Sequence, residues 1–302
     1  MSSDPSYVSQ EIARQPQAWA EAHDRLAEFS RPLPEPGERV AVVGCGTSWF
    51  MAAAYAARRE ASGAGETDAF AASQFPTGRH YDRVVAISRS GTTTEVMQAI
   101  SGTASPVTAI TAVPDSPVAA AATSTIVLDF ADEQSVVQTV FATTTLMLLR
   151  ASLGEPVEPV AAQARQILGG AHPLDPGVDG AGQFSFIGQG WAAGVASEAA
   201  LKMREAARAW TESYPQMEYR HGPISIAQPG RVVWIFGTPV PGLLDDVAAT
   251  GATIVNGDLD PVADLIRVQL LSVGLAEGQG LDPDRPRSLT RSVVLSGAEL
   301  TQ

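Results

Sequence analysis

Cysteine and lysine are almost missing from this sequence. One cysteine, Cys45, among 302 residues excludes an internal disulfide framework and a cysteine-built structural zinc site, and it fits a reducing compartment. No eighteen apolar residues run together, and the N-terminus, with Asp4, Glu11 and Arg14 among polar residues, lacks the basic start and apolar run of a signal peptide. A cytoplasmic protein with no membrane partner is therefore expected. Positive charge is also scarce: 20 basic against 33 acidic residues leave a net charge of -13. That balance argues against a nucleic-acid partner, whose phosphates draw most of their affinity from Lys and Arg. A small phosphate is still allowed, because backbone N–H groups at a helix N-terminus hold an anion whatever the sign of the whole protein. Among the basic residues lysine is the scarcest, since Lys202 is the only one.

What is present reads as a folded α/β protein. Forty-five per cent hydrophobic and 18% charged residues are ordinary for a globular chain able to bury a substantial core. Residues 1–35 form a helical segment, with Ile12, Trp19, Leu26 and Phe29 on one face and Pro32–Pro36 as its stop. Short apolar runs follow at Val40–Val43, Val84–Ile87, Val107–Ala112 and Ile126–Leu128, with Ala-rich or periodic stretches between them. Continuous apolar strands alternating with helices imply a parallel sheet covered on both faces. Residues 36–150 make this first α/β half, closed by a helix over Val136–Leu149. Residues 151–182, with Pro173-Leu174-Asp175-Pro176-Gly177, suit a linker. In residues 183–302 the pattern restarts, with strands at Phe184–Ile187 and Val232–Phe236 and a helix over Glu198–Trp210.

Three sites carry chemistry. The first strand ends in Gly44-Cys45-Gly46-Thr47-Ser48, where glycines let the backbone approach a ligand. Trp49 stands where a dinucleotide fingerprint needs a small residue. Gly188-Gln189-Gly190 with Ala193 does have that spacing, a weak match by itself. The second strand ends in Ser88-Arg89-Ser90-Gly91-Thr92-Thr93-Thr94-Glu95. Its five hydroxyls at a helix N-terminus make an anion cradle; an N-cap with a capping box from Thr92 to Glu95 accounts for only one or two of them. Third, Glu198, Lys202 and Glu205 fall at i, i+4 and i+7 on one stripe of a helix whose other positions are small and apolar. A solvated salt-bridge face is the ordinary reading of such a stripe, but the only lysine and the apolar surroundings point to a carboxylate tuned as a general base. Of the four histidines, His221 stands out because Gly222-Pro223 fixes a turn that displays it.

In this order the motifs resemble the SIS (sugar isomerase) domain family, most of all the isomerase half of glucosamine-6-phosphate synthase and the amino-sugar-phosphate deaminases and deglycases. The resemblance runs from Glu11-Ile12 and Gln15-Pro16 through Gly46-Thr47-Ser48 and Ser88-Arg89-Ser90-Gly91 with Thr93. It continues through Ala200-Leu201-Lys202-x-x-Glu205, Glu212-Ser213-Tyr214 and His221-Gly222-Pro223, and ends at Asp284 and Pro286-Arg287-x-Leu289. It implies two three-layer α/β/α halves of flavodoxin-like type with mainly parallel sheets. It also implies that Ser48, Ser88, Ser90 and Thr93 hold a sugar phosphate, with Thr47, Arg89, Gln138 and Arg291 among the substrate-lining residues. Glu205 would move a proton between C1 and C2, beside Lys202. His221 would assist ring opening across the interface of a homodimer.

This sequence departs from the family in two places. Arg291 replaces a lysine able to form an imine with a ketose, which arginine does not do, and Gln138 and Val140 replace a serine and a lysine. No glutaminase domain precedes the motifs, so glutamine-dependent synthesis is not expected. Neither metal nor cofactor is expected. The leading expectation is an isomerase or deaminase acting on a hexosamine 6-phosphate by C2 proton abstraction. Its rivals are a dehydratase or lyase on an N-acetylhexosamine 6-phosphate using the same base, which loss of the imine lysine favours, and a sugar-phosphate sensor without turnover.

Overall fold

The computed structural model of the protein describes residues 5–295; residues 1–4 and 296–302, the outer ends of the expected first and last segments, lie outside it. An N-terminal helix α1 (Tyr7–Asp24) and a short α2 (Leu26–Phe29) precede the first sheet. That half runs β1 (Val40–Gly44), α3 (Thr47–Ala61), β2 (Thr67–Ala71), β3 (Arg83–Ile87), α4 (Thr94–Ser101), β4 (Val107–Thr111), α5 (Pro117–Ala121) and β5 (Ser124–Val127). Two helices follow, α6 (Val140–Ser152) and α7 (Glu158–Leu168). The second half runs β6 (Gln183–Gly188), α8 (Ala192–Ala207), β7 (Thr211–Pro215), α9 (Gln216–Tyr219), β8 (Arg231–Phe236), α10 (Leu243–Ala248), β9 (Thr253–Val255) and α11 (Pro261–Gly278). Both sheets are wholly parallel, in the orders β2-β1-β3-β4-β5 and β7-β6-β8-β9. Among the described residues no helix is long and apolar enough to cross a membrane.

The continuous apolar strands have the cause expected of parallel sheets, burial on both faces. Val40 and Val42 of β1 join one core while Ala41 and Val43 join another on the opposite face. The first of these cores also takes in Phe184, Phe186, Val232, Trp234 and Phe236 from the second sheet. One continuous core therefore lies between the two sheets, built on α1, α3, α6, α7, α8 and α11.

The structure corrects three element readings. Residues 151–182, read as linker, contain α7, whose Val160, Ala161, Ala164 and Ile167 are buried in the shared core. Strands β2 and β7 have no strand pattern in the sequence. Both are sheet edges, and their sequences, Thr67-Asp68-Ala69-Phe70-Ala71 and Thr211-Glu212-Ser213-Tyr214-Pro215, lack the continuous apolar run of a central strand. The helix expected from Glu198 begins six residues earlier, at Ala192, and ends at Ala207 on Arg208, whose φ of 53° lies in the left-handed region.

Gly194 decides how the halves meet. A Cβ there would lie 2.7 Å from Ala54 N and Phe50 O, so only glycine lets α8 pack this closely on α3. Of the glycines that resemble a dinucleotide fingerprint, Gly188 serves packing too, since a Cβ there would sit 2.3 Å from Ala192 O, whereas Gly190 answers to its φ of 56°.

Candidate active site

The α3–α8 contact carries the buried stripe Glu198, Lys202 and Glu205. Lys202 Nζ donates to Glu205 Oε2 at 2.5 Å and to Thr47 Oγ1, on the first turn of α3, at 3.1 Å. It lies 3.5 Å from Glu198 Oε1 on its other side. The Lys202 and Glu198 side chains are 1% and 2% exposed, whereas Glu205 reaches 19%, so Glu205 is the member of the stripe that faces open space. Burial, above all, pushes the Glu198 carboxyl up to about 7, against the pull of the ammonium. Burial acts against the Lys202 charge, but the two carboxylates outweigh it and its pKa is raised. Glu198 was in the stripe read from the sequence yet not among the expected site residues. Its spacing of i−4 from Lys202 was the available signal.

Facing Glu205 is a cavity of about 170 Å³ lined by Cys45, Gly46, Thr47, Thr93, Val136, Gln138 and the tail residues Leu289–Val293. It joins the end of α8 to the turn after β3. Burial, then Glu95, push the Cys45 thiol up to about 11, which keeps it protonated and unreactive near neutral pH. The Gln138 carboxamide makes no hydrogen bond among the described residues, and its Oε1 is buried without a partner.

The hydroxyl turn after β3 is tightly drawn. Gly91 has φ 63°, and a Cβ there would stand 2.1 Å from Ser116 Oγ. Ser90 Oγ accepts from Thr92 N at 3.3 Å, and Ser88 Oγ lies 3.5 Å from Thr93 Oγ1. Over this turn lies the tail. Thr92 Oγ1 donates to Ser292 Oγ at 3.0 Å, Thr94 N donates to Val293 O at 3.1 Å, and Leu295 N donates to Thr94 Oγ1 at 2.8 Å. Ser292 therefore occupies the mouth of the cradle, a placement that no sequence pattern had marked.

Arg89 does not line the cavity, and Arg291, which does, turns its guanidinium away to protein partners. The Arg89 side chain is 1% exposed and turned beneath the turn, donating to Ser135 O at 2.9 Å and Arg291 O at 3.3 Å beside Glu133 at 3.7 Å. Its pKa is lowered by burial, with Glu133 opposing. Arg291 donates to Glu133 O and pairs with Asp132. Both guanidiniums are thus spent on holding the tail and the 132–136 segment. Glu133 caps α6, accepting from Thr139 N at 2.6 Å and Val140 N at 2.8 Å. Glu11 accepts from Gln134 N at 2.6 Å and from Ser135, so α1 fixes the segment that presents Gln138. Asp284 accepts from Tyr7 N at 2.9 Å and Val8 N at 2.7 Å, clamping α1 to the tail. Ser48 is buried behind Thr47 and does not line the cavity. His221 is exposed after α9, and within the chain no side-chain bond joins it to Glu205.

Against solved structures, the chain superposes on glucosamine-6-phosphate deaminase from Thermotoga maritima with a TM-score of 0.79 at 23% identity, covering 96% of this chain and all of that one. The fold is the sugar isomerase fold. Tagatose-6-phosphate ketose/aldose isomerase from Escherichia coli shares it with a TM-score of 0.75 at 19% identity over 96% of each chain. In sequence, the glutamine–fructose-6-phosphate aminotransferases of Aeropyrum pernix and Methanothermobacter thermautotrophicus are each 27% identical across 96% of the chain. The chain spans 57% of the length of these two relatives. No family model matches it. The resemblance read from the motifs thus extends over nearly the whole chain, and the sugar isomerase fold brings together Thr47, Thr93, Gln138, Lys202 and Glu205 while leaving His221 apart.

Proposed function

We propose that the protein is a sugar-phosphate enzyme acting on a hexosamine 6-phosphate, with Glu205 as the base that removes the proton at C2. The single observation that carries this reading is the cavity shared by Glu205 and Thr93, which sets a carboxylate opposite a hydroxyl-lined helix N-terminus. The phosphate would take the hydroxyls and N–H groups of Ser88–Thr94, displacing Ser292 from the cradle. At about 170 Å³ the cavity is below the roughly 300–1,000 Å³ of ligand pockets, so the tail has to move aside to admit a sugar. Lys202, held by Glu198 and Thr47, would orient the Glu205 carboxylate towards C2. His221, exposed on its turn, would serve the site of a second copy in a homodimer.

A second reading has its own support. Lys202 is the only lysine and is committed to two carboxylates, while Arg291 cannot form an imine. That favours a route without an imine: after Glu205 takes the C2 proton, loss of water from C3 makes the enzyme a dehydratase on an N-acetylated substrate. Incubation in deuterium oxide with glucosamine 6-phosphate, its N-acetyl form or fructose 6-phosphate tests both. Deuterium should enter C1 or C2 with the native protein and not with Glu205→Gln. Ammonia release marks deamination, and a mass loss of water marks dehydration. Deuterium uptake by Glu205→Gln at the native rate would remove Glu205 as the base, and no uptake by the native protein would leave a sensor.

A further inference from the structure

Behind Glu205, away from the hydroxyl turn, two adjoining cavities of about 340 and 220 Å³ share Glu205, Arg208 and Arg287. The larger also contains Arg204, Ser288 and Leu289; the smaller contains Arg285. Among the described residues no carboxylate oxygen lies within 4.0 Å of the guanidinium nitrogens of these four arginines. Arg204 donates to Thr211, whereas the guanidiniums of Arg208, Arg285 and Arg287 have no hydrogen-bond partner there. The two nearby acids are engaged elsewhere: Glu205 by Lys202 at 2.5 Å, and Asp282 by Asp284 N at 2.9 Å. In a chain with net charge -13, these four exposed arginines lack a carboxylate partner although Glu205 and Asp282 line the same concavity.

We infer that this arginine concavity binds a second anionic group of the substrate, a phosphate or carboxylate attached beyond the reacting carbons. The inference rests on the sugar-phosphate reading above and sharpens it to a doubly anionic substrate. Glu205 lines all three cavities, and Leu289 lines both the turn-side cavity and the larger arginine cavity. A sugar anchored by one phosphate at Ser88–Thr94 would therefore present its reacting end at Glu205 and any group beyond it to Arg208 and Arg287. Guanidiniums suit such a group because their planar forks match phosphate and carboxylate oxygens.

Calorimetric titration with fructose 6-phosphate and fructose 1,6-bisphosphate tests this. The bisphosphate should bind at least about tenfold more tightly to the native protein, the effect of one charge-assisted hydrogen bond, and salt should narrow the gap. The ratio of the two affinities should fall towards one in Arg287→Gln, and in Arg208→Gln should the first variant fold poorly. A ratio near one in the native protein, with fructose 6-phosphate bound, overturns the inference and leaves the sugar-phosphate reading standing. Binding of neither sugar sinks both. Sodium sulfate provides the third arm. If it raises the melting temperature through Arg287 while the sugar ratio stays at one, the arginines hold a separate small anion. If the arginine variants alter sedimentation but not the ratio, they face a second copy. Either result refutes the substrate assignment.

Discussion

Glu198→Gln should stabilise the protein at pH 8, although it replaces half of a buried ion pair. The Glu198 carboxyl is buried, its Oε2 has no partner, and its pKa stands at about 7 against an ordinary 4.5. A carboxyl whose folded value lies above its unfolded one binds more protons folded than unfolded between about pH 4.5 and 7. Each rise in pH through that window therefore removes stability. Carrying the group from 4.5 to about 7 corresponds to a cost of about 3 kcal/mol, fully felt above pH 7. Glutamine abolishes that cost, while Lys202 keeps Glu205 at 2.5 Å and is not left uncompensated. Some of the gain is lost with the ammonium's second partner, so about 1–3 kcal/mol should remain at pH 8 and almost none at pH 4.5. Urea titrations at several pH values read this directly as the difference in midpoint. The fall in stability from pH 4.5 to 7 should become shallower in the variant, and what persists belongs to Glu11 and Asp264, whose carboxyls burial also raises. A variant less stable than the native protein at pH 8, with an unchanged pH slope, would refute the reasoning.

Ser90→Asp should weaken fructose 6-phosphate binding by at least about tenfold, through like-charge repulsion in the cradle; unchanged affinity by calorimetry would remove the turn from the phosphate site. Asp284→Ala should cost about 0.5–2 kcal/mol by freeing the N–H groups of Tyr7 and Val8 at the start of α1, with hydrogen exchange rising first in α1. Gly194→Ala should cost about 1–3 kcal/mol, because its Cβ would press on the backbone of α3 at 2.7 Å. The same variant should slow turnover by disturbing the Lys202–Thr47 contact, and a native rate with native stability would show that α3 can give way.

The central strands and the acidic stripe were legible because each depends on a local pattern. A parallel strand buried on both faces must be apolar throughout, as Val40–Val43 is, and a helix repeats its face every three or four residues, as Glu198, Lys202 and Glu205 do. The edge strands β2 and β7 hid because only part of each is buried. The direction of a long side chain was not legible either. Arg89 sits within the hydroxyl turn, yet its guanidinium runs underneath to Ser135 O, because the buried Glu133 capping α6 draws it there. The Arg291 side chain is likewise taken by Asp132, a residue far away in sequence. Only the folded chain brings those partners together, and so the substrate roles expected of both arginines had no local pattern to contradict them.

The two halves also divide the parts of this cavity between them. Gly44 and Gly188 end equivalent first strands, and Gly46 and Gly190 follow at φ 53° and 56°. Carried along the two helices in that register, Glu198, Lys202 and Glu205 of α8 correspond to Ala54, Arg58 and Ala61 of α3. The first half thus lacks the acidic stripe, and its Arg58 is paired instead with Glu155 at 2.5 Å. The reverse holds for the turns. Ser88–Thr93 after β3 is rich in hydroxyls, whereas Gly237–Gly242 after β8 offers Thr238 between glycine and two prolines and leads into the short α10. Each half carries what the other lacks, the acidic stripe in one and the hydroxyl-rich turn in the other. The close crossing of α3 and α8 at Gly194 sets the stripe of one half against the turns of the other. That contact, more than either loop motif alone, brings Glu205 and the hydroxyl turn to one cavity.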